Sequence, residues 1–600
     1  MNRTSEHTFH IPVMGIAFTL DSPVKVARFG INSVVSIVED RIIETMRKHY
    51  YPVIDGEYYP ISTHEPDYRA KRITDYLNLL DSIVQRQMEQ LRREPFTAGT
   101  DIVKYFEMLP DGSRLKAEYK AMLDTENAEE KARLQQALRA ALVAGRIDVN
   151  IMTKVDREQR TKSGDIVQDG SEAVASLRGY MKSGLKNSSI VFSAGMNPRL
   201  FTYLEASTAF DPNEQFEFDK KVIIKVSDYR SALIQGKFLA KKGIWVSEFR
   251  IESGLNCGGH AFATDGLLLG PILEEFKTKR KELTDAMFDL YKTAIEKKLG
   301  YTFTDYPDVL VTVQGGIGTA AEDEFLRSYY HIASTGWGTP FLLVPEATTV
   351  DEHTLDLLKE ATDKDIVLSH NSPLGVRFQY LKGTTSEQEK LLRIEEGKFG
   401  SPCTEKHLAL NTEFTEEPIC TASRKYQKLK LKHLQSLELP ESEYEKQKAD
   451  VLAKECLCVG LSNSASLTYD EPFLKHLTAV TICPGPNIAN FSEIVSLQTM
   501  VDHIYGRTNI MTNNQRLHVF IAEMNLYISY VKEQITQEQI PLIDTKRKMY
   551  FQTFLRNLSE AIVYYRKLVG MSILNCPEFD AELSKAQDEV FSIKREYLLD

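Results

Sequence analysis

The stretch Ser253 to Phe262, SGLNCGGHAF, sets a cysteine, two glycines and a histidine in a row. A histidine with an ordinary pKa near ~6.5 gives or takes a proton at neutral pH, and glycines beside it let a flat ligand lie against the backbone. His260 is therefore a candidate proton carrier and Gly258 and Gly259 a candidate binding wall, with a histidine that only braces its loop as the competing reading. Two more glycine-bearing stretches follow, VQGGIGTAAEDEF and STGWGTPF. Gly315, Gly316 and Gly318 open a helical pattern, where backbone N–H groups and the helix dipole favour an anion, and Gly336, Gly338 and Thr339 could close the same phosphate cradle. Glycines that serve only tight turns would look alike.

The seven cysteines are unevenly placed: Cys403, Cys420, Cys456, Cys458 and Cys483 fall in one C-terminal region, with Cys257 before it and Cys576 after. Thiolates converging from such Pro- and Gly-flanked loops could hold an iron–sulfur cluster or zinc. Their spacing matches no C-x-x-C signature, and buried packing cysteines would give the same pattern. Cys257 has no positive neighbour in sequence and reads as a small packing residue. Lys154 with Asp156, and Lys225, stand at strand ends, where a desolvated lysine can form a Schiff base or contact a phosphate.

The elements that must position these residues alternate. HIPVMGIAFTL and INSVVSIV flank DSPVKVARFG, giving strand, helix, strand. The apolar runs IDVNIMTKV, SSIVFSAG, KKVIIKVS, GIWVSEFRI, PDVLVTVQGG and TPFLLVP then recur with helical patterns such as SALIQGKFLAKKG between them. Eight strands alternating with helices predict an α/β fold, a (β/α)8 TIM barrel near the usual ~250 residues, with an open doubly wound sheet as the alternative. The barrel comprises residues 1–46 and 146–380; residues 47–145, rich in helix formers, read as a helical insertion after strand 2, and residues 381–600 as a Cys-containing, mostly helical C-terminal domain. In such a barrel the loops after the strands build the site, and all the glycine stretches above fall there.

Composition narrows the partners. A net charge of −11 argues against nucleic acid and anionic membranes, 42% hydrophobic residues suffice for buried cores, and no apolar run is long enough to span a bilayer. The chain reads as cytoplasmic, acting on a small-molecule or acyl substrate. The insertion and the C-terminal helices could cover the barrel, form a homodimer interface or hold an acyl carrier.

In their order these motifs resemble the nitronate monooxygenase (2-nitropropane dioxygenase-like) family of FMN-dependent barrels, which includes flavin-dependent enoyl-ACP reductases. The matching segments are Pro12 to Gly15, Val149–Asn150, IVFSAG (Ile190 to Gly195), Ser253 to His260, Gln314 to Ile317, Gly338–Thr339 with Phe341, and Gly375 to Arg377. The resemblance covers about residues 9 to 380 apart from the insertion. It implies FMN, with its phosphate on Gly315, Gly316, Gly338 and Thr339 and its ring near Met14, Gly15, Asn150, Gly258 and Gly259. It also implies an oxidoreductase with His260 as proton carrier and NAD(P)H as a candidate donor. Departures stand at Asn256–Cys257, at Trp337 and at FGINSVVSI, and bear on substrate class. A non-redox lyase working through Lys154 or Lys225, and a ligand-binding barrel without turnover, remain the alternatives.

Overall fold

The computed structural model describes residues 5–151, 156–160, 163–193, 195–257, 265–472, 474, 476–537, 545–574 and 577–597. Eight strands close into a barrel: β1 (Phe9–Ile11), β2 (Asn32–Ser36), β3 (Ile147–Ile151), β4 (Ser188–Phe192), β5 (Lys220–Val226), β6 (Val246–Glu252), β7 (Leu310–Gln314) and β8 (Ser334–Gly336). Every neighbouring pair is parallel, and β8 returns to β1 through Phe9↔Thr335 and His10↔Gly336.

The last strand is not where the apolar pattern puts it. TPFLLVP, expected as the eighth strand, forms instead a 3-10 helix, Thr339–Leu343. The polar segment Ser334–Gly336 takes the strand position, with Thr335 and Trp337 N–H bonding the carbonyls of Thr8 and His10. Local geometry explains the exchange. Gly336 lies so close to its neighbours that a Cβ would stand 2.6 Å from Gln314 Cβ and 3.0 Å from His10 Nε2, so the closing strand needs glycine rather than bulk. Pro340 opens the following turn, where its missing N–H costs nothing.

The two-residue period of the strands separates two environments. Val149, Phe249, Ile251, Val311 and Val313 join the large apolar core shared with the surrounding helices. The alternate positions face the barrel interior. There Val34, Val191 and Ile223 form a small separate cluster with Val13, whereas β6 and β7 contribute Glu248, Arg250 and Thr312, all buried. Arg250 donates to Glu248 Oε1 at 2.8 Å and Thr312 donates to the same oxygen at 2.6 Å. Barrel interiors are usually filled by branched apolar side chains; on its β6–β7 side this one carries a buried ion pair.

Residues 47–145 contribute the helices Tyr68–Arg93, Asp101–Met108, Arg114–Asp124 and Ala128–Ala141. The longest lies on the barrel-ring helix Glu172–Lys182, where Thr74 donates to Gly179 O at 2.9 Å. After the barrel come an antiparallel hairpin, β9 (Ile366–Ser369) and β10 (Phe378–Leu381), and two helices, Arg424–Ser436 and Glu441–Ala453, with a small core of their own. The last three helices are Val519–Gln537, Thr545–Gly570 and Pro577–Glu596, and the first two pack back onto the barrel helix Leu269–Leu299. No helix among the described residues is long and apolar enough to cross a membrane.

Candidate functional site

Met14 and Gly15 follow β1, Asn150 lies on β3, Gly315 and Gly316 follow β7, and Gly338 and Thr339 follow β8, so the barrel brings all of them to its C-terminal end. Gly258, Gly259, His260 and Lys154 lie outside the described residues. What surrounds the described ones divides the barrel mouth into two parts.

On the β3, β5, β6 and β7 side, buried polar side chains converge on Glu252 at the end of β6. Its Oε1 accepts from Lys225 Nζ at 3.1 Å, Asn256 Nδ2 at 2.7 Å and Gln314 Nε2 at 2.9 Å. Lys225 is thus tied to Glu252 in a buried contact that occupies the amine Schiff-base chemistry would use. One buried oxygen here, Asn150 Oδ1, has no hydrogen-bond partner among the described residues, whereas the Gln314 side chain faces the buried His10 imidazole. Leaving a buried acceptor unpaired costs about 1–3 kcal/mol, so Asn150 at the barrel mouth is suited to a ligand that brings an N–H donor. Met14, after β1, is fully buried. A flavin ring, flat and carrying one N–H, would satisfy the Asn150 acceptor.

On the β7–β8 side the polar side chains are engaged by the chain itself, beside a cavity lined by Gly316, Asn487 and Arg516. Gly315 (φ +106°) and Gly316 (φ +78°) adopt left-handed backbone that favours glycine, but a Cβ on either would strike protein atoms: Ser253 Oγ at 2.6 Å and Leu255 Cδ1 at 2.6 Å. Arg516 lies against this loop, donating to Gly316 O at 2.8 Å and to both oxygens of Glu322 at 2.8 Å. Glu322 also takes the Gly318 N–H, at 2.9 Å. The Thr339 hydroxyl donates to Pro484 O at 2.6 Å, and Asn487 Nδ2 to Ile317 O at 3.0 Å. The side chains around the transferred phosphate positions therefore already have partners inside the protein, which leaves the backbone N–H groups of the glycine loops as the phosphate donors that the sequence expects.

The loop that carries His260 is fixed at both described ends by one side chain. Glu523, on the helix Val519–Gln537, accepts the Gly254 N–H at 2.9 Å and the Leu269 N–H at 2.7 Å. Burial pushes its pKa up to about 7 although both N–H groups pull the other way. Gly254 and Gly270 admit Tyr527 and Tyr565 at distances no side chain would allow, 2.5 and 2.3 Å from a notional Cβ. The C-terminal helices thus hold the ends of the β6 loop in place.

The five C-terminal cysteines do not behave as one group. Cys403, Cys420, Cys456 and Cys458 face one another. Cys483 lies elsewhere, beside Cys257, whose thiol donates to its carbonyl at 3.2 Å. Cys257 is buried, and burial pushes its thiol well above the ordinary range, as for a packing residue. Near the four-cysteine group, His407 bridges Glu39 (2.7 Å) and Glu172 (3.1 Å). Burial alone would lower its pKa, but these bonds push it up to about 10, so both ring nitrogens are donors. Glu39, Glu405 and His407 stand close enough to hold a cation, yet a doubly bonded imidazolium has no lone pair to offer.

Several of these residues escaped the sequence reading. Glu252 lies inside an apolar strand run, and Glu523 and Arg516 are distant in sequence, so nothing local marks them. Glu322 was detectable: with Thr319, which accepts from its N–H at 3.1 Å, it forms the T-x-x-E capping box of the next helix.

No family model matches the chain, and no curated protein sequence matches it. Among solved structures, the enoyl reductase domain of MlnA from the macrolactin biosynthesis cluster of Bacillus amyloliquefaciens is similar with a TM-score of 0.35 and 14% identity, over 66% of this chain and 86% of that one. Nitroalkane oxidase from Streptomyces ansochromogenes is similar with a TM-score of 0.29 and 10% identity, over 64% and 85%.

Proposed function

We propose that the chain is a flavin-dependent oxidoreductase of the nitronate monooxygenase or enoyl reductase type, acting on a small-molecule or acyl substrate. The observation that carries the reading is the unpartnered buried acceptor Asn150 Oδ1 at the barrel mouth, on the strand end where the ordered motif series places the ring. A bound flavin would supply the redox chemistry that no protein side chain provides. The chain's own residues then have separable tasks. Asn150 orients the ring through its amide oxygen, and Met14 closes the apolar side. Lys225, Asn256 and Gln314 hold Glu252 in place beneath it. His260 moves the proton at the substrate carbon, and Glu523 sets the ends of its loop.

The test is the visible spectrum of the purified full-length protein, before and after addition of FMN. An oxidised-flavin spectrum, native or acquired on titration, is the expected result. A colourless protein that also fails to bind added FMN overturns the reading.

A further inference from the structure

Cys403, Cys420, Cys456 and Cys458 reach one place from three separate stretches of chain. The first two run side by side: Ser401 N–H bonds Ala422 O at 2.9 Å and Arg424 N–H bonds Ser401 O at 3.1 Å, which sets Cys403 beside Cys420 so that their thiols hydrogen-bond. The other two sit at the start of the short helix Leu457–Gly460, Cys456 as its N-cap and Cys458 within it, both facing Cys403. None is in a disulfide.

A backbone N–H is also turned towards each sulfur: Lys406 for Cys403, Ala422 for Cys420, Val459 for Cys456 and Leu408 for Cys458. Three of these come from two or three residues further along the same loop, and Lys406 adopts φ +61° to make its turn. The bond to Cys403 pushes the Cys420 thiol up and burial pushes Cys456 and Cys458 up, as it does Cys257, whereas Cys403 is lowered to about 7 by Cys420. N–H groups aimed at the sulfurs would stabilise them as thiolates on a metal and tune it.

The spacing distinguishes between metals. Zinc holds its thiolates at about 2.3 Å, so four of them stand only about 3.8 Å apart. Among the described residues, Glu39, Glu405 and His407 are the one group of three or more ligand atoms within 4.8 Å of one another, so no three of these sulfurs are that close. An iron–sulfur cluster, in which each thiolate binds its own iron or shares one with a second thiolate, spreads its ligands further.

We propose that Cys403, Cys420, Cys456 and Cys458 form a four-thiolate site for an iron–sulfur cluster beside the barrel mouth. The helix Leu457–Gly460 gives the location its meaning. Leu461, next after it, accepts the Ala17 N–H at 3.1 Å and packs 3.6 Å from the Cβ position of Gly15, so the chain runs directly from Cys458 to the loop that follows β1. The site goes beyond the flavin reading and does not depend on it.

The experiment is anaerobic purification of the full chain, with iron, acid-labile sulfide, zinc and flavin measured per chain. Iron and sulfide in equal amounts, about two or four of each, with little zinc, is the expected result. Cys458→Ser should lower iron at least about five-fold, whereas Cys483→Ser, outside the group, should retain it. One zinc per chain without sulfide overturns the proposal, as does wild-type protein free of both metals, whether its four thiols are free or Cys403 and Cys420 are joined by a disulfide. Metal content of the wild-type chain decides the matter even where a variant fails to fold, and flavin content is read separately.

Discussion

The two sides of the barrel mouth are built from similar material and end in opposite states. Around β3, Asn150 keeps a buried oxygen without a partner among the described residues. Around β7 and β8, Thr339, Arg516, Glu322 and Asn487 have bonded to one another or to the backbone. Glycines mark the second side more conspicuously, yet unmet hydrogen-bonding capacity marks the first. Glycine records where backbone comes close to something, whether ligand or protein; an unpartnered buried acceptor is costly enough to indicate that something is to be bound.

The largest expected effect tests the proton carrier. His260→Ala should lower turnover by ~10²–10⁴-fold while flavin content is unchanged; a loss of flavin instead would make this residue part of the binding wall.

Next comes the docking of the C-terminal region. His407→Ala removes the cation between the buried Glu39 and Glu172, leaving Glu172 with Arg69 and Arg157, and should destabilise by about 3 kcal/mol in denaturant unfolding. The same pairs set a pH window. His407, raised from 6.5 to about 10, contributes fully below 6.5 and loses its contribution as pH rises towards 10. Burial would raise Glu172, but the bond from His407 and the charge of Arg69 hold it down to about 2, so its contribution is present above 4.5 and lost as pH falls towards 2. Arg157 also faces Glu172, and Arg41 pairs with Glu405 on the same loop. This contribution is therefore greatest between pH 4.5 and 6.5, and a wild-type minus His407→Ala difference in Tm that is flat from pH 6 to about 9 would refute the assignment.

A smaller effect addresses the ring side. Asn150→Leu removes an unmet acceptor, so the ligand-free fold should be no less stable, while FMN affinity falls about ten-fold, or ~1.4 kcal/mol. Unchanged affinity would remove Asn150 from the site.

The smallest addresses the β7–β8 side. Thr339→Val deletes the bond to Pro484 and should cost ~1 kcal/mol of stability with flavin content unaffected. A fall in flavin content would mean that this side chain holds the phosphate after all, and the contrast between the two sides would collapse.

Alternation of apolar strands and helical patterns made the barrel legible, because a parallel sheet covered by helices writes continuous apolar runs into its strands. It failed at β8, where Ser334–Gly336 carries no apolar signal and closure depends on Gly336 passing beneath His10 and Gln314. The strand-end motifs fixed which residues reach the mouth, since each loop follows its own strand. They could not reveal that Arg516 and Thr339 would be engaged by distant partners, nor that Cys483 would leave the other four cysteines for Cys257.

The sequence by itself determined local periodicity, strand ends and residue types, all of which depend on neighbours a few positions away. Tertiary structure alone decided which polar groups are satisfied: Glu523 bonds Gly254 from 269 residues further along the chain, and Arg516 reaches Gly316 across 200. Burial makes those pairings energetically decisive, and burial is a property of the assembled chain.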